Sequence, residues 1–464
     1  MSPAAEPRVA VVGAGVMGAS IALVLALGGS DVALFDPDPQ ALSRARERIA
    51  AGAASLRGDP SCALERVRIA TDLPAAVADA DLVIEAGPEN LAVKREIFAS
   101  LERHAPPTAV LASNTSALPI HEIAAALRSR ERVLGTHFWN PPHLVPLVEV
   151  VQTADTALGH VESTIALLTR RGMTPVHVRA DVPGFIGNRL QHALKREAIA
   201  LVAEGVCDAE TLDTVVTQGF GARLGAIGPL EQADLGGLGL TLAIHEVVMP
   251  ALDNTPVPHP LLREKVARGE LGARTGQGFR RWREGEPEGL RARVDASLLH
   301  AARRRSAPSE PTSAPVDTGE ALWGLGGLWI VRVPARATGG SFALIEARMS
   351  EGCATPLHRH NEDDETFIVL DGALALLVEG ERVDAGPGDV VHLPGGAVHA
   401  WRSESEEARF LIIATPEHEA FYRDASDPAT ALTQPPDAGT LDLERIGRSA
   451  ARHGVELLAP PPEY

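Results

Sequence analysis

The chain has 464 residues, is 45% hydrophobic and carries a formal net charge of −18. That length exceeds one ordinary core and sets an expectation of two or three domains. The negative balance argues against nucleic-acid binding, and three scattered cysteines without a CxxC pair exclude a disulfide framework.

No apolar run approaches the roughly 18 residues of a membrane span. The N-terminus, MSPAAEPRVAVVGAG, enters a strand too early for a signal peptide, so a cytoplasmic location is expected. Charge is unevenly spread: residues 341–430 hold 18 acidic and 6 basic residues, which points to a composite chain.

From residue 8 to about 180, strand-like runs (RVAVVG, DVALFD, DLVIEAG, AVLAS, RVLGTHF, LVPLVEVV, TPVHVRA) alternate with helical patterns. Such alternation predicts a mostly parallel sheet covered on both faces. Only Ala51–Arg68 reads as irregular. Pro183–Gly184 breaks the pattern, and helical spacing follows to about residue 284. The reading is therefore an α/β domain over 1–182, a helical domain over 183–284 and a Pro/Ser-rich linker over 285–316 with a short helix near Arg291–Arg304. From 317 to 425, short strands at 8–12-residue spacing with DG, EG and GPGD turns predict an antiparallel barrel or sandwich. A Pro-rich tail with one short helix, 426–464, completes the chain.

In VAVVGAGVMGAS, Gly13, Gly15 and Gly18 form G-x-G-x-x-G between a strand and a helix. The first glycine permits the turn, the second admits a pyrophosphate and the third lets helix and strand pack. Asp36, at the end of the next strand, suits the ribose hydroxyls of NAD and repels the 2′-phosphate of NADP. A packing turn with Asp36 as a helix cap is the competing reading.

Glu149 interrupts the apolar run LVPLVEVV, and a buried carboxylate without a partner is costly. His137, twelve residues earlier, is the candidate partner. His121 and His143 read as ordinary polar residues.

GAGVMGASIA, DLVIEAGPENLAVKREIF, SNTSALPI, GTHFWNPPHLVPLVEVV, PGFIGNRL and LGARTGQGF occur in order over residues 8–282. This series resembles the 3-hydroxyacyl-CoA dehydrogenase family, whose members include dehydrogenases of non-CoA substrates such as carnitine, gulonate and pyridine alcohols. The resemblance implies a Rossmann-type domain, a helical domain through which relatives dimerise, and NAD-dependent oxidation of a 3-hydroxyacyl-CoA or the reverse reduction. It implies His137 as general base and Glu149 as its orienting partner. Ser116 and Asn188 would bond the reacting oxygen, with Asn140 near the same cleft and Glu89 and Lys94 beside the nicotinamide half of the cofactor. Asn188 reads equally well as a helix cap.

The sequence departs from the family at Arg274, where Lys is usual, and at Arg280, where Tyr is usual. No CoA-gripping Lys or Ser is placed on 51–68. A dehydrogenase of a free hydroxy acid or aromatic alcohol is therefore the alternative.

The stretch from Gly352 to Gly372 fits G-x5-H-x-H-x4-E-x6-G, and Gly388 to His399 fits G-x5-P-x-G-x2-H. Together they resemble the two motifs of the cupin family, a double-stranded β-helix barrel. His358 and His360 are two apart, so on a strand they share a face; Glu365 and His399 come from other strands. Three imidazoles and a carboxylate suit Fe, Mn, Ni, Cu or Zn. A solvated polar turn is the competing reading of HRH, and Cys353 reads as a small buried residue. Ser403 stands where the second motif ends in Asn. The barrel's role is left between a second reaction and a ligand-sensing or dimerisation module.

Overall fold

The computed structural model describes residues 7–56, 60–305, 319–338, 340–360, 363–435 and 442–462. It divides into two compact units, Met1–Leu298 and Leu299–Tyr464.

The first unit is built on eight strands: β1 (Val9–Val12), β2 (Val32–Phe35), β3 (Val67–Ile69), β4 (Leu82–Glu85), β5 (Val110–Ser113), β6 (Val133–Phe138), β7 (Leu147–Val151) and β8 (Thr174–Val178). Their order is β3-β2-β1-β4-β5-β6-β7-β8. Neighbours are parallel except β6 and β7, which run antiparallel. The helices along this stretch are α1 (Val16–Leu27), α2 (Pro39–Ser55), α3 (Pro60–Glu65), α4 (Leu73–Val77), α5 (Leu91–His104), α6 (Ile120–Ile123) and α7 (Leu158–Arg170). Strand periodicity separates two cores. Val9 and Val11 pack with Leu23, Leu25 and Leu167 on one face. Ala10 and Val12 pack with Val77, Phe98 and Leu101 on the other.

The seven expected strands are all present. The segment 51–68 differs from its irregular reading, because α2 runs to Ser55 and α3 and β3 follow. Gly52, which looks like a breaker, lies inside α2. A Cβ there would meet the Leu23 side chain at 2.5 Å, so this glycine lets α2 pack closely on α1. Residues 57–59 of that segment lie outside the described residues.

The helical part comprises α8 (Gly187–Ala203), α9 (Ala209–Gln218), α10 (Pro229–Gly236), α11 (Leu238–Val248), α12 (Pro260–Ala267) and α13 (Glu286–Arg305). The last is a 20-residue helix where a linker with a shorter helix was expected; residues 306–316 of that linker lie outside the described residues. Helices α9 to α12 contain no buried residue.

The second unit holds β9 (Glu320–Gly324), β10 (Gly327–Val333), β11 (Ala343–Ser350), β12 (Leu357–His360), β13 (Glu365–Asp371), β14 (Leu374–Val378), β15 (Glu381–Ala385), β16 (Val390–Leu393), β17 (His399–Ser403) and β18 (Glu407–Ala414). Helix α14 (Pro416–Ala425), β19 (Ser426–Pro428), α15 (Leu443–Arg452) and β20 (Val455–Ala459) follow. Two antiparallel sheets, β16-β13-β18-β11-β10-β9-β19 and β15-β14-β17-β12-β20, enclose a core around Trp329, Phe367, Trp401 and Phe410.

The expected tail from 426 onward is in fact part of the barrel. Its strand β20 pairs with β12, aligning Val455 with His360. The signal was weak because only Val455 of β20 is buried. Among the described residues no helix is long and apolar enough to cross a membrane.

Candidate functional site

The glycine loop lies between β1 and α1. Gly13 has φ 109°, and a Cβ on it would meet the Ala86 carbonyl at 2.6 Å; a Cβ on Gly18 would overlap the Gly13 carbonyl. A Cβ on Gly15 would meet nothing within 4 Å, which leaves space for a diphosphate over the start of α1. Asp36 stands just past β2 and accepts from the Ala14 N–H at 2.7 Å, which brings its carboxylate to the loop. These residues fit a bound dinucleotide.

The antiparallel β6/β7 pair places His137 directly opposite Glu149. Both are buried, and His137 Nδ1 lies 2.8 Å from Glu149 Oε2. The other carboxylate oxygen, Oε1, accepts from the backbone N–H groups of Ile186 and Gly187 at 2.9 and 3.0 Å, at the start of α8. Burial alone pushes the Glu149 carboxyl up, but the bonds from His137, Gly187 and Ile186 outweigh it and hold the group below the usual carboxylate value. With Nδ1 engaged, Nε2 is the nitrogen left for chemistry.

Ser116, His137, Trp139, Asn140 and Asn188 line one cleft of 460 Å³ together with Val16 and Met17 of α1. The cleft thus joins the start of the glycine-loop helix to the His–Glu pair. Asn188 does not cap α8; its Nδ2 donates to the Ser116 carbonyl at 2.8 Å. Glu89 accepts from Thr115 Oγ1, Ser116 N–H and Ala117 N–H, tying down the loop that carries Ser116. Burial of Glu89 is outweighed by these bonds and by the Lys94 charge, so its carboxyl also titrates low.

Lys94 was expected beside the nicotinamide half of the cofactor. It is 1% exposed, and its Nζ bonds both oxygens of Glu85 at 2.8 and 3.0 Å. Glu85 also accepts from Ser113 Oγ and Gly87 N–H. Sequence reasoning missed Glu85, although a carboxylate closing the apolar strand LVIE posed the same question as Glu149. His121 is an ordinary polar residue paired to Asp181.

In the barrel, His358 of β12 is the register partner of His399 of β17. His360 shares the buried face of β12 with His358, and Glu365 opens β13 in the other sheet. His358 Nδ1 lies 2.8 Å from the Pro356 carbonyl and His399 Nδ1 2.9 Å from the Ala397 carbonyl. Donation to those carbonyls leaves each Nε2 with its lone pair inward.

Both nitrogens of His360 and Nε2 of His399 are buried without a hydrogen-bond partner. Glu365 Oε2 is 3.8 Å from His360 Nε2 and 3.4 Å from His399 Nε2. Burial drives His358 down to about 4 and His360 to about 2, so both imidazoles are neutral near pH 7. Burial of His399 is outweighed by the Glu365 carboxylate, which raises it instead; orphaned nitrogens around that carboxylate, with His358 and His360 neutral, fit a divalent transition ion.

A fifth ligand-type residue was missed. His418 of α14 lies with His360 and Glu365 in a group whose ligand atoms are all within 4.8 Å of one another. Its signal was the pair Phe421 and Tyr422, three and four residues on, which marks a buried helix face. Cys353 is buried against Met349.

The description "3-hydroxyacyl-CoA dehydrogenase, NAD binding domain" matches residues 8–182, its C-terminal domain matches 184–282, and "Cupin domain" matches 345–414. The chain is 36% identical over 276 residues to 5-formyl-3-hydroxy-2-methylpyridine 4-carboxylate 5-dehydrogenase of Mesorhizobium japonicum, covering 59% of this chain and 89% of the relative. It is 40% identical over 280 residues to a probable 3-hydroxybutyryl-CoA dehydrogenase of Bacillus subtilis, covering 59% and 96%. A solved structure of a 5-formyl-3-hydroxy-2-methylpyridine 4-carboxylic acid 5-dehydrogenase, described as an NAD+-dependent dismutase, superposes with a TM-score of 0.61 at 34% identity. It covers 65% of this chain and 99% of that one. Over residues 8–282 the chain belongs to the 3-hydroxyacyl-CoA dehydrogenase family of NAD-binding oxidoreductases, and it carries a cupin domain after it.

Proposed function

We propose that residues 8–282 oxidise a 3-hydroxyacyl-CoA, or reduce the 3-keto form, with His137 as the base. The observation that carries this is the buried His137–Glu149 contact of 2.8 Å, with His137 lining the cleft shared with the glycine-loop helix. Glu149 holds the imidazole in the tautomer with Nδ1 protonated, so Nε2 receives the proton of the substrate hydroxyl. The resulting imidazolium is stabilised by the carboxylate beside it. Ser116 and Asn188 bond the oxygen as it becomes a carbonyl, and Asn140 lines the cleft beside them. Bound NAD, held at Gly13, Gly15, Gly18 and Asp36, supplies the hydride acceptor.

A second reading, a non-CoA hydroxy acid or aromatic alcohol as substrate, is favoured by two observations. One is the likeness to the pyridine-carboxylate dehydrogenase. The other is the departures at Arg274 and Arg280; the Arg280 guanidinium stacks on Trp282 at 4.0 Å. Acetoacetyl-CoA and free 3-keto acids, each followed by NADH absorbance, separate the two. Failure of every CoA ester to bind or turn over removes the first reading.

The barrel is proposed to hold one divalent transition ion at His358, His360, Glu365 and His399. Such an ion supplies Lewis-acid or redox chemistry there. Elemental analysis of the purified chain tests this.

The first unit is proposed to be a homodimer. Leu230, Leu235 and Val247 are 80, 81 and 76% exposed on helices that bury no side chain, an apolar expanse that a second copy would cover. Light scattering giving one chain's mass at micromolar concentration would exclude it.

A further inference from the structure

We propose that His418 is a fifth ligand of the barrel's metal, so that the ion fastens helix α14 over the site. This rests on the metal reading given above and extends it to a residue outside both cupin motifs.

His418 sits in the first turn of α14, 2% exposed, with its Nε2 3.7 Å from Glu365 Oε1 and its ring 4.2 Å from that of His360. Its Nδ1 is buried without a hydrogen-bond partner. The two ligand-type groups, His358/His360/His399 and His360/Glu365/His418, share His360, so His418 adjoins the residues of the two motifs. One turn further on, Tyr422 stacks on His418 at 4.7 Å and its hydroxyl donates to Glu365 Oε1 at 3.3 Å. The helix is itself pinned: Thr415 accepts from the His418 N–H and donates to Asp363 at 2.7 Å.

The covering is tight. The space left beside the ligands is 30 Å³, bounded by Trp329, Trp401, Tyr422, Ile446 of α15 and Val455 of β20. That holds about two waters at most. A bond from His418 to the metal would resist any lifting of α14 from this space.

The test uses the full chain stripped with chelator and then titrated with zinc(II) alone. One zinc per chain is expected, with affinity at least tenfold weaker in His418→Ala and unchanged in His392→Ala, an exposed control. Hydrogen exchange at Phe421–Ala425 is expected to slow at least tenfold with zinc in the natural chain and to lose that dependence in the variant. Zinc affinity within twofold of the natural chain in His418→Ala overturns the proposal while sparing the metal reading. So does zinc-independent exchange of α14 in the natural chain, which needs no variant to fold. Absence of any zinc binding overturns both.

Discussion

Each half of the molecule sets imidazole against a buried carboxylate, and the two arrangements differ in what else the carboxylate touches. Glu149 has one imidazole and two backbone N–H groups, so all its partners are hydrogen-bond donors of fixed geometry. Glu365 faces three imidazoles at 3.4 to 3.8 Å and one tyrosine hydroxyl, and two of those three nitrogens have no hydrogen-bond partner. A satisfied pair is ready to move a proton. An unsatisfied cluster is ready to take a cation. The same residue types serve different chemistry because the hydrogen-bond count around the acid differs.

The largest expected effect breaks the first arrangement alone. His137→Gln should lower the dehydrogenase kcat by about 10³- to 10⁴-fold with NAD affinity unchanged by fluorescence titration, while metal content stays intact. A loss below tenfold would remove His137 from the chemistry. Glu149→Gln should cost about 10²- to 10³-fold, since the imidazole keeps a partner but loses the charge that favours its protonated form. Steady-state rates on one substrate rank the two variants.

A third carboxylate sharpens the contrast. Glu346 is 1% exposed and accepts from Arg332, Arg348 and Arg409. Despite burial, those guanidinium groups hold its carboxyl down to about 2 against the ordinary 4.5. Its folded value is depressed, so its contribution to stability is complete above about pH 4.5 and fades as pH falls toward 2. Glu346→Gln should destabilise the barrel by about 3 kcal/mol at pH 7, the order seen when a buried ion pair loses one member. Denaturant melts at pH 7 and pH 3 should show the gap between variant and natural chain shrinking on acidification. The smallest effect is at the cofactor: Asp36→Ser should shift preference toward NADP by about tenfold, or roughly 1.4 kcal/mol, read from kcat/KM with each nucleotide.

Much of this was legible because short spacings imply geometry. HRH puts two rings on one strand face, and GxGxxG with a following acid implies a loop and a ribose partner. The His137–Glu149 pair could be posed from sequence as a carboxylate in need of a partner, and cross-strand register supplies the answer. His418 was not legible in that way. ATPEHEAFYRD has the charge of a solvated helix, and only closure of the chain over the barrel brings it to Glu365. Glu85 and Lys94 were separable only once β4 and α5 were side by side. The reason Gly52 is glycine lies in a leucine on another helix, which no local pattern shows.

The backbone donors on Glu149 belong to the first turn of α8, which opens the helical half of the first unit. One side chain therefore rivets the two halves together and also aims the imidazole. The setting of His137 therefore depends on a contact between the sheet and the helical half as well as on its own strand.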